Sequence, residues 1–403
     1  MTSKLFVNPD VGSNREFPNL SLAYATTHFN AKVIDMNTKP EPRGRFLNRK
    51  IDLLGISVQP RAWDEAHLIA EEYKKKYPKS KICSVNTKAI DVLCCYPFLK
   101  FDNDLSFDVD FSDELPFPNF ELFDSFDIFL KNWKSGEWNY PILTSIGCPY
   151  SCIYCAARLR KMKFRSIENC VEELKQAKKR WGIKNFEVLD DCFNFNKDRV
   201  LEFCEAVKPL KLGWVTCNGL RADRFDEDTA KAMAESGVFY LGFGIESADP
   251  EVLKTIKKGE TLEQIENAID IAKKYFKRIS GYLIIGLPGS SYEKDLKNIE
   301  WILDKGIIAH FSFHVPFEKG IQYTKAWTDP QFHGEKAYPI SEVYPKDLQM
   351  RVYMMTEAMR SVDIGNLIPK LFTSFRYSLI HRPSLLPKLF AVGVRRIMER
   401  WGR

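Results

Sequence analysis

The chain has 403 residues, 45% of them apolar, and carries a formal charge of +6. This length and composition are typical of a globular protein with a barrel-sized core and one smaller domain. The sequence holds no run of about eighteen apolar residues and no basic N-terminal region followed by an apolar stretch. It therefore predicts neither a membrane span nor a signal peptide, and we expect a cytoplasmic protein.

The positive charge is concentrated at one end of the chain. The tail from Lys370 to Arg403 holds eight basic residues and one acidic residue, so it accounts for the whole excess. Its basic residues alternate with large apolar ones, as in helices that lie on anionic membrane surfaces, and peripheral membrane contact is one interpretation. The alternative is a C-terminal helix that packs on a barrel. A nucleic-acid partner is not expected, because the charge is confined to this tail.

The first part of the chain, residues 1–110, alternates β-rich runs with helical patterns. The strands are KLFVN, AKVIDMN, DLLGISV and KICSV, and the helices are LSLAYATTHF and DEAHLIAEEYKKKYP. This alternation predicts a small, doubly wound, Rossmann-like domain with a parallel sheet. Residues 111–139 are acidic and aromatic and include Pro116 and Pro118, which predicts a linker that packs against its surroundings.

Strand-then-helix alternation resumes over residues 140–328. The predicted strands are YPILTSIG, NFEVLDD, GWVTCNGL, VFYLGFGIES, RISGYLIIGL and IAHFSFHVPF. Six such units predict a partial (β/α)6 barrel, in which chemistry is expected where strands end and loops begin. Residues 329–403 form a predicted helical, basic C-terminal region. The fold class is therefore α/β, with a partial barrel between a Rossmann-like domain and a helical extension.

A cysteine-rich loop, GCPYSCIYC, follows the first predicted barrel strand. It places Cys148, Cys152 and Cys155 where three thiolates can converge. Three thiolates suit a four-iron, four-sulfur cluster with one iron left open for another ligand. A zinc site is the alternative, but no nearby histidine supplies a further ligand. The other cysteines are expected to pack as small apolar residues: Cys83, Cys94, Cys95, Cys170, Cys192, Cys204 and Cys217.

The spacing C-x3-C-x-aromatic-C, with Tyr154 at the aromatic position, resembles the motif of the radical SAM superfamily over about residues 140–325. This resemblance implies a 4Fe-4S cluster whose open iron chelates S-adenosylmethionine (SAM), and one-electron cleavage of SAM to a 5′-deoxyadenosyl radical. No catalytic residue beyond the cluster ligands is assigned.

The resemblance also implies SAM contacts at successive strand ends. Asp190 and Asp191 occupy the position of the family's amine-contacting motif, or they cap a helix. Arg221 is placed to pair with the SAM carboxylate, or it forms a structural salt bridge. Glu246 and Ser247 correspond to ribose contacts, or they cap the next helix. The predicted cofactor-binding residues are Tyr154, Asp191, Asn218, Arg221, Glu246, Ser247 and Gly286, where Gly286 belongs to a segment that lets the backbone approach adenine.

Residues 1–125 resemble the N-terminal domain of the radical SAM subclass that binds cobalamin. In this chain SVNTKAI stands where that family has a glycine pair, and no D-x-H-x-x-G segment supplies a histidine for cobalt. The resemblance therefore implies the fold and leaves corrinoid binding open.

Hydrogen abstraction from a small or lipid-like substrate is the leading functional hypothesis, with a flavodoxin or ferredoxin as one-electron donor. Cobalamin-dependent methyl transfer is the first alternative. Methylthio transfer is disfavoured, because Cys83, Cys94 and Cys95 lack the spacing of a second cluster site. An alternative of another class is a non-catalytic scaffold that retains the iron–sulfur cluster.

Overall fold

The structure is a computed structural model that describes residues 3–9, 19–36, 38, 47–57, 63–85, 111–155 and 157–314. In chain order these residues form an N-terminal sheet, a connecting region and a barrel-type sheet. The predicted C-terminal region 329–403, with its basic tail, and the cysteines Cys94 and Cys95 lie outside the described residues. Within the described ranges no helix is both long and apolar enough to cross a membrane.

The N-terminal sheet is parallel and doubly wound, as predicted. Its strands are β1 (Lys4–Asn8), β2 (Lys32–Asp35), β3 (Leu53–Ser57) and β4 (Lys81–Val85), and its helices are α1 (Leu20–Phe29) and α2 (Trp63–Lys76). The strand order is β2-β1-β3-β4, so the β1–α1–β2 unit and the β3–α2–β4 unit run in opposite directions across the sheet. Because crossovers between parallel strands are right-handed, α1 and α2 lie on opposite faces.

Each face of this sheet has its own core, because neighbouring side chains of a strand point to opposite faces. Phe6 packs with Tyr24 of α1, and this core continues without a break into the barrel. Val7 packs with Ile69 and Tyr73 of α2 in a separate, smaller core. The α1 face therefore attaches the N-terminal sheet to the barrel.

The connecting region between the two sheets is densely packed with aromatic side chains. It contains a short 3-10 helix, Phe120–Leu122, and α3 (Phe126–Ser135), neither of which the sequence pattern predicted. The fully buried Phe120 ring lies 5.2 Å from Trp133 and 5.9 Å from Trp181 between ring centroids. This region therefore packs on the barrel, although its boundaries as a linker stay a prediction.

Six parallel strands form the barrel-type sheet: β5 (Tyr140–Ile142), β8 (Asn185–Val188), β9 (Gly213–Thr216), β10 (Val238–Glu246), β11 (Ile279–Ile285) and β12 (Ile308–Phe313). Their order in the sheet is β12-β11-β10-β9-β8-β5. The helices are α4 (Ile167–Trp181), α5 (Lys197–Val207), α6 (Glu227–Glu235), α7 (Pro250–Thr255), α8 (Leu262–Tyr275) and α9 (Tyr292–Lys305). The predicted partial (β/α)6 barrel is confirmed.

Polar caps set the starts of the barrel helices. In each case a side-chain oxygen just before the helix accepts a hydrogen bond from a backbone N–H of the first turn, which satisfies a donor that the helix itself cannot pair. The capping residues are Ser166, Asn196, Asp226, Asp249, Thr261 and Ser291.

The first predicted barrel strand, YPILTSIG, is in fact two strands in different sheets. Only Tyr140–Ile142 pairs with β8. The chain then leaves the barrel sheet and forms an antiparallel hairpin of β6 (Ser145–Cys148) and β7 (Arg160–Phe164). The cysteine loop connects the two strands of this hairpin, which corrects the expectation that it follows the barrel strand directly.

A buried ion pair lies where the hairpin joins α4. Arg165 and Glu173 approach to 2.6 Å and are 0% and 1% exposed. The Tyr140 hydroxyl of β5 donates to Glu173 at 3.0 Å, and Arg165 donates to the carbonyl of Leu143 at 2.9 Å. The Tyr24 hydroxyl of α1 lies 3.4 Å from the Arg165 guanidinium. This pair therefore ties β5, the hairpin, α4 and the N-terminal domain together.

Candidate active site

The three motif cysteines lie in one compact loop. Cys148 is the last residue of β6 and pairs in register with Arg160 of β7. The Cys155 N–H donates to the Cys152 carbonyl at 3.1 Å, and the Leu159 N–H donates to the Tyr150 carbonyl at 2.9 Å. Gly147, just before the first cysteine, has a φ of 95°, and a Cβ there would overlap the Lys161 carbonyl oxygen. Only glycine fits this turn.

Two carboxylates at the end of β8 hold the hairpin. Asp190 is buried and accepts bonds from the Thr144 N–H at 2.7 Å and the Ser145 hydroxyl at 2.7 Å. Asp191 accepts a bond from the Gly147 N–H at 2.7 Å, and burial raises its pKa to about 6. Neither carboxylate caps a helix. Both position the loop that carries the cysteines.

The thiols differ in their electrostatic environment. A hydrogen bond with the Cys192 thiol, helped by the Tyr150 N–H, lowers the pKa of Cys148 to about 7. Burial raises the pKa of Cys152, and it raises that of Cys155 to about 11. Iron binding must therefore displace protons from the two latter thiols, as is general for thiolate ligands.

The three motif cysteines are free thiols on one loop. Among the described residues, no three His, Cys, Asp or Glu side chains are close enough together to hold one metal ion. The described cysteines form no disulfides, so the motif thiols are free to bind. In a four-iron cluster each thiolate binds a different iron atom, so the three sulfur ligands are separated from one another by the cluster. The three cysteines on one loop suit that donor set.

A chain of buried charges borders the cysteine loop. The Lys258 ammonium lies 3.2 Å from Glu246 and 3.2 Å from Glu260. Burial lowers the pKa of Lys258, but the two carboxylates outweigh burial and hold that pKa above its ordinary value. Glu246 has a φ of 66°, unusual for a residue with a side chain. Burial and the nearby Glu246 carboxylate raise the pKa of the Tyr154 hydroxyl well above its ordinary value.

Arg221 lies beside the same loop but is held by protein groups. Its guanidinium donates to Asp223 at 2.8 Å and to the Lys258 carbonyl at 3.1 Å. The guanidinium carbon also lies 3.5 Å from the centroid of the Tyr150 ring. This geometry favours the structural alternative for Arg221, in which it supports the loop.

Three other predicted residues form hydrogen bonds with groups outside the cysteine loop. Asn218 donates to the Asp190 carbonyl at 2.8 Å and so joins the loops after β8 and β9. Ser247 is fully buried and contacts Asn298 of α9. Gly286 has a φ of 81° and donates its N–H to Asp295 of α9 at 3.0 Å. The structure thus groups Asp191, Tyr154, Glu246 and Arg221 around the cysteines, and it places Ser247 and Gly286 against α9.

Sequence reasoning missed three residues of this group. Lys258 lies in a run of polar residues that resembles an exposed helix end. Tyr150 stands inside the cysteine motif but has no assigned position in it. Cys192 was expected only to pack, whereas its thiol contacts Cys148. Its place directly after Asp191, at a strand end, is the signal that could have indicated this contact.

The comparisons with known proteins agree with this geometry. Residues 142–302, which include all three motif cysteines, match the Radical SAM superfamily. These residues therefore form a radical SAM domain. The prediction of a radical SAM enzyme, with its 4Fe-4S cluster and SAM as cofactors, is confirmed at the level of the superfamily.

Two curated relatives with similar sequences are named methyltransferases. An uncharacterized methyltransferase of Pyrococcus horikoshii is 31% identical over 259 residues, which are 61% of this chain and 52% of that protein. The cytidylyl-2-hydroxyethylphosphonate methyltransferase of Streptomyces wedmorensis is 34% identical over 151 residues, which are 36% of this chain and 28% of that protein. The chain thus spans about half or less of the length of these relatives.

The similarity to solved structures includes the N-terminal sheet. The radical SAM methyltransferase TsrM of Kitasatospora setae, solved with cobalamin and a [4Fe-4S] cluster, matches with a TM-score of 0.65. It is 13% identical, and the match covers 99% of this chain and 100% of that one. The cobalamin-dependent SAM radical enzyme OxsB, solved with aqua-cobalamin and SAM, matches with a TM-score of 0.54 at 19% identity, over 80% of this chain and 54% of that one. The resemblance to the cobalamin-binding subclass is therefore confirmed at the level of the fold.

Proposed function

We propose that this chain is a cobalamin-dependent radical SAM methyltransferase that acts on a small molecule. The observation that carries the proposal is the continuous core between a doubly wound parallel sheet and a barrel that holds the three-cysteine loop. The methyltransferase relatives and the cobalamin-bound structures favour this alternative over hydrogen abstraction alone, which was the leading hypothesis from the sequence. A small-molecule substrate agrees with the tryptophan bound by TsrM.

The residues of the barrel have distinct tasks in this proposal. Cys148, Cys152 and Cys155 would hold the cluster, and their number leaves one iron for the amine and carboxylate of SAM. Asp191 holds the loop through Gly147. Glu246 and Lys258 form a buried charge pair beside the cysteines, where charged groups of SAM would lie. An intact ligand loop with this supporting network favours an enzyme over a scaffold.

The N-terminal sheet offers a site of suitable chemistry for a corrinoid. In doubly wound sheets, ligands bind at the carboxyl ends of the strands where the strand order reverses, here between β1 and β3. Asn8, Asn19 and Ser57 lie there, with the Asn19 amide 2.9 Å from the Ser57 hydroxyl and 3.2 Å from Asn8. Uncharged amides and hydroxyls of this kind suit the amide-rich rim of a corrin. A corrinoid held there by these residues would supply the methyl-transfer chemistry of its cobalt.

Corrinoid retention tests this proposal. We expect the anaerobically purified, cluster-loaded protein to keep hydroxocobalamin through gel filtration and to show its absorbance. Replacing Ser57 with leucine should weaken retention about tenfold, or ~1.4 kcal/mol, because the larger side chain removes a hydrogen-bonding group and fills the crevice. Ser80→Val is the matched control. Ser80 is also buried, but it lies just before β4, at the amino end of a strand and not at the carboxyl end.

Two outcomes would contradict the proposal. If the wild-type protein elutes without corrinoid, the hypothesis of cobalamin-dependent methyl transfer is excluded and that of hydrogen abstraction remains. Equal weakening by Ser57→Leu and Ser80→Val would place the corrinoid somewhere other than between β1 and β3.

A further inference from the structure

Two of the predicted SAM contacts lie on separate loops at the carboxyl ends of neighbouring barrel strands. Ser247 follows β10, and Gly286 follows β11, which pairs with β10 in parallel. The pairing is irregular between Gly244 and Glu246, and its last pair joins Glu246 and Leu283. The register between the two strands ends at this pair, so other groups must fix the distance between the two loops.

A buried carboxylate on α9 holds the loop after β11. Asp295 is 0% exposed and accepts bonds from the Gly286 N–H at 3.0 Å and from the Ser290 hydroxyl at 2.6 Å. Asp295 also lies in the first turn of α9, where the helix dipole favours a negative charge. The carboxylate therefore fixes both ends of the turn from Gly286 to Ser290.

A buried amide on the same helix holds the loop after β10. The side-chain oxygen of Asn298 accepts a bond from the Ala248 N–H at 2.8 Å, and its side-chain nitrogen lies 3.2 Å from the Ser247 hydroxyl. Residues three apart share one face of a helix, and the Asn298 amide also donates to Asp295 at 3.4 Å. One face of α9 therefore holds both loops.

A lysine of α9 joins the same two loops a second time. The Lys294 ammonium lies 3.1 Å from the Asp249 carboxylate, in the loop after β10, and 3.4 Å from the Gly289 carbonyl, in the loop after β11. The Lys294 and Asp249 side chains are partly exposed, and exposed ion pairs contribute little to stability. The buried groups of α9 are therefore the stronger connection between the loops.

We propose that Asp295 and Asn298 are positioning residues for SAM, which hold the two loops at the spacing that the adenosine part of SAM requires. The proposal rests on the SAM chemistry of the proposed function, in which the Ser247 loop contacts the ribose and the Gly286 loop approaches the adenine. Because one bond joins these two rings, both contacts form together only when the loops are held to within about 0.5 Å. Both side chains are buried and bonded to the loops, so they would act through the loops.

Calorimetric titration of the full-length, cluster-loaded protein with SAM tests this positioning role. We expect Asp295→Asn to weaken SAM binding about tenfold, because an amide nitrogen cannot accept the bonds that the carboxylate accepts from Gly286 and Ser290. Asn298→Ala should weaken SAM binding by a similar factor. The matched control is Glu293→Gln, which makes the same chemical change at an exposed position of the same helix turn and should leave SAM binding unchanged.

L-methionine is the second probe, because it carries the amine and carboxylate of SAM but no adenosine. Its effect on the electron paramagnetic resonance spectrum of the reduced cluster measures binding at the open iron. We expect each variant to keep the iron content of the wild type and to need the same methionine concentration for half of this effect. A loss confined to SAM binding distinguishes positioning of the two loops from damage to the cluster or to the fold.

Ser290→Ala is a milder variant that remains informative where a buried substitution prevents folding. Ser290 is half-buried in the loop after β11, and its hydroxyl is one of the donors to Asp295. Removing this hydroxyl should weaken SAM binding about threefold and leave the methionine response unchanged.

The positioning role is overturned if Asp295→Asn, Asn298→Ala and Ser290→Ala all bind SAM like the wild type. It is also overturned if the methionine response or the iron content falls by the same factor as the SAM affinity. A wild-type protein that binds no SAM would overturn both this proposal and the proposed function. A wild-type protein that binds SAM but transfers no methyl group would contradict the proposed function alone, because SAM binding is measured here without a corrinoid.

Discussion

Replacing Gly147 with alanine is expected to leave the protein nearly free of iron. The φ of 95° at this position is unfavourable for alanine, and the added Cβ would overlap the Lys161 carbonyl on the opposite strand. The hairpin must then open next to Cys148. Strain of roughly 3 kcal/mol at the ligand loop corresponds to about a hundredfold loss in cluster affinity. Iron and sulfide analysis after anaerobic gel filtration, with electron paramagnetic resonance after reduction, measures this loss.

Gly182→Ala is the control for this variant. Gly182 ends α4 with a φ of 66°, but its nearest neighbours are carbons of the flexible Lys134 side chain at 3.6 and 3.7 Å. It should cost about 1 kcal/mol in stability and retain the cluster. If Gly147→Ala binds as much iron as Gly182→Ala does, the hairpin does not position the ligands.

Breaking the buried pair between Arg165 and Glu173 is expected to destabilise the protein strongly, although it lies outside the cluster loop. Glu173→Gln leaves the guanidinium of Arg165, which is 0% exposed, without its counterion. An uncompensated buried charge costs about 3–5 kcal/mol. A urea titration of the free energy of unfolding measures the effect.

Glu172→Gln provides the comparison, because Glu172 is the neighbouring residue of the same helix and is exposed, with one hydrogen bond from Gln176 at 3.0 Å. We expect it to change stability by less than about 0.5 kcal/mol. Similar losses in the two variants would mean that the buried pair does not join the hairpin to the barrel as described.

The regular part of the fold could be predicted from the sequence, because its signals are local. The near-continuous apolar run in DLLGISV and the apolar spacing in α4 and α8 give strands and helices close to the observed bounds. The three cysteines were also evident, because their spacing is local. Such patterns report which face of an element is buried, and they do so within one element at a time.

The remaining features depend on contacts between distant segments. Nothing in YPILTSIG indicates that the chain leaves the barrel sheet after Ile142, because both halves have strand character. The partners of Arg221 are Asp223 and the Lys258 backbone, and the second of these lies 37 residues away. The burial of Lys258 depends on Glu246 and Glu260, and a lysine in a polar run is normally exposed. Residue types therefore identified the site, but the tertiary structure determines which side chains face it.

The products that the enzyme forms from SAM test the central claim most directly. Cluster-loaded wild-type protein is incubated anaerobically with SAM and dithionite, with and without hydroxocobalamin, beside a Cys152→Ala variant as the control without an intact ligand set. A cobalamin-dependent methyltransferase should form S-adenosylhomocysteine only when the corrinoid is present. Conversion of SAM to 5′-deoxyadenosine alone, at the same rate with and without corrinoid, would contradict the assignment.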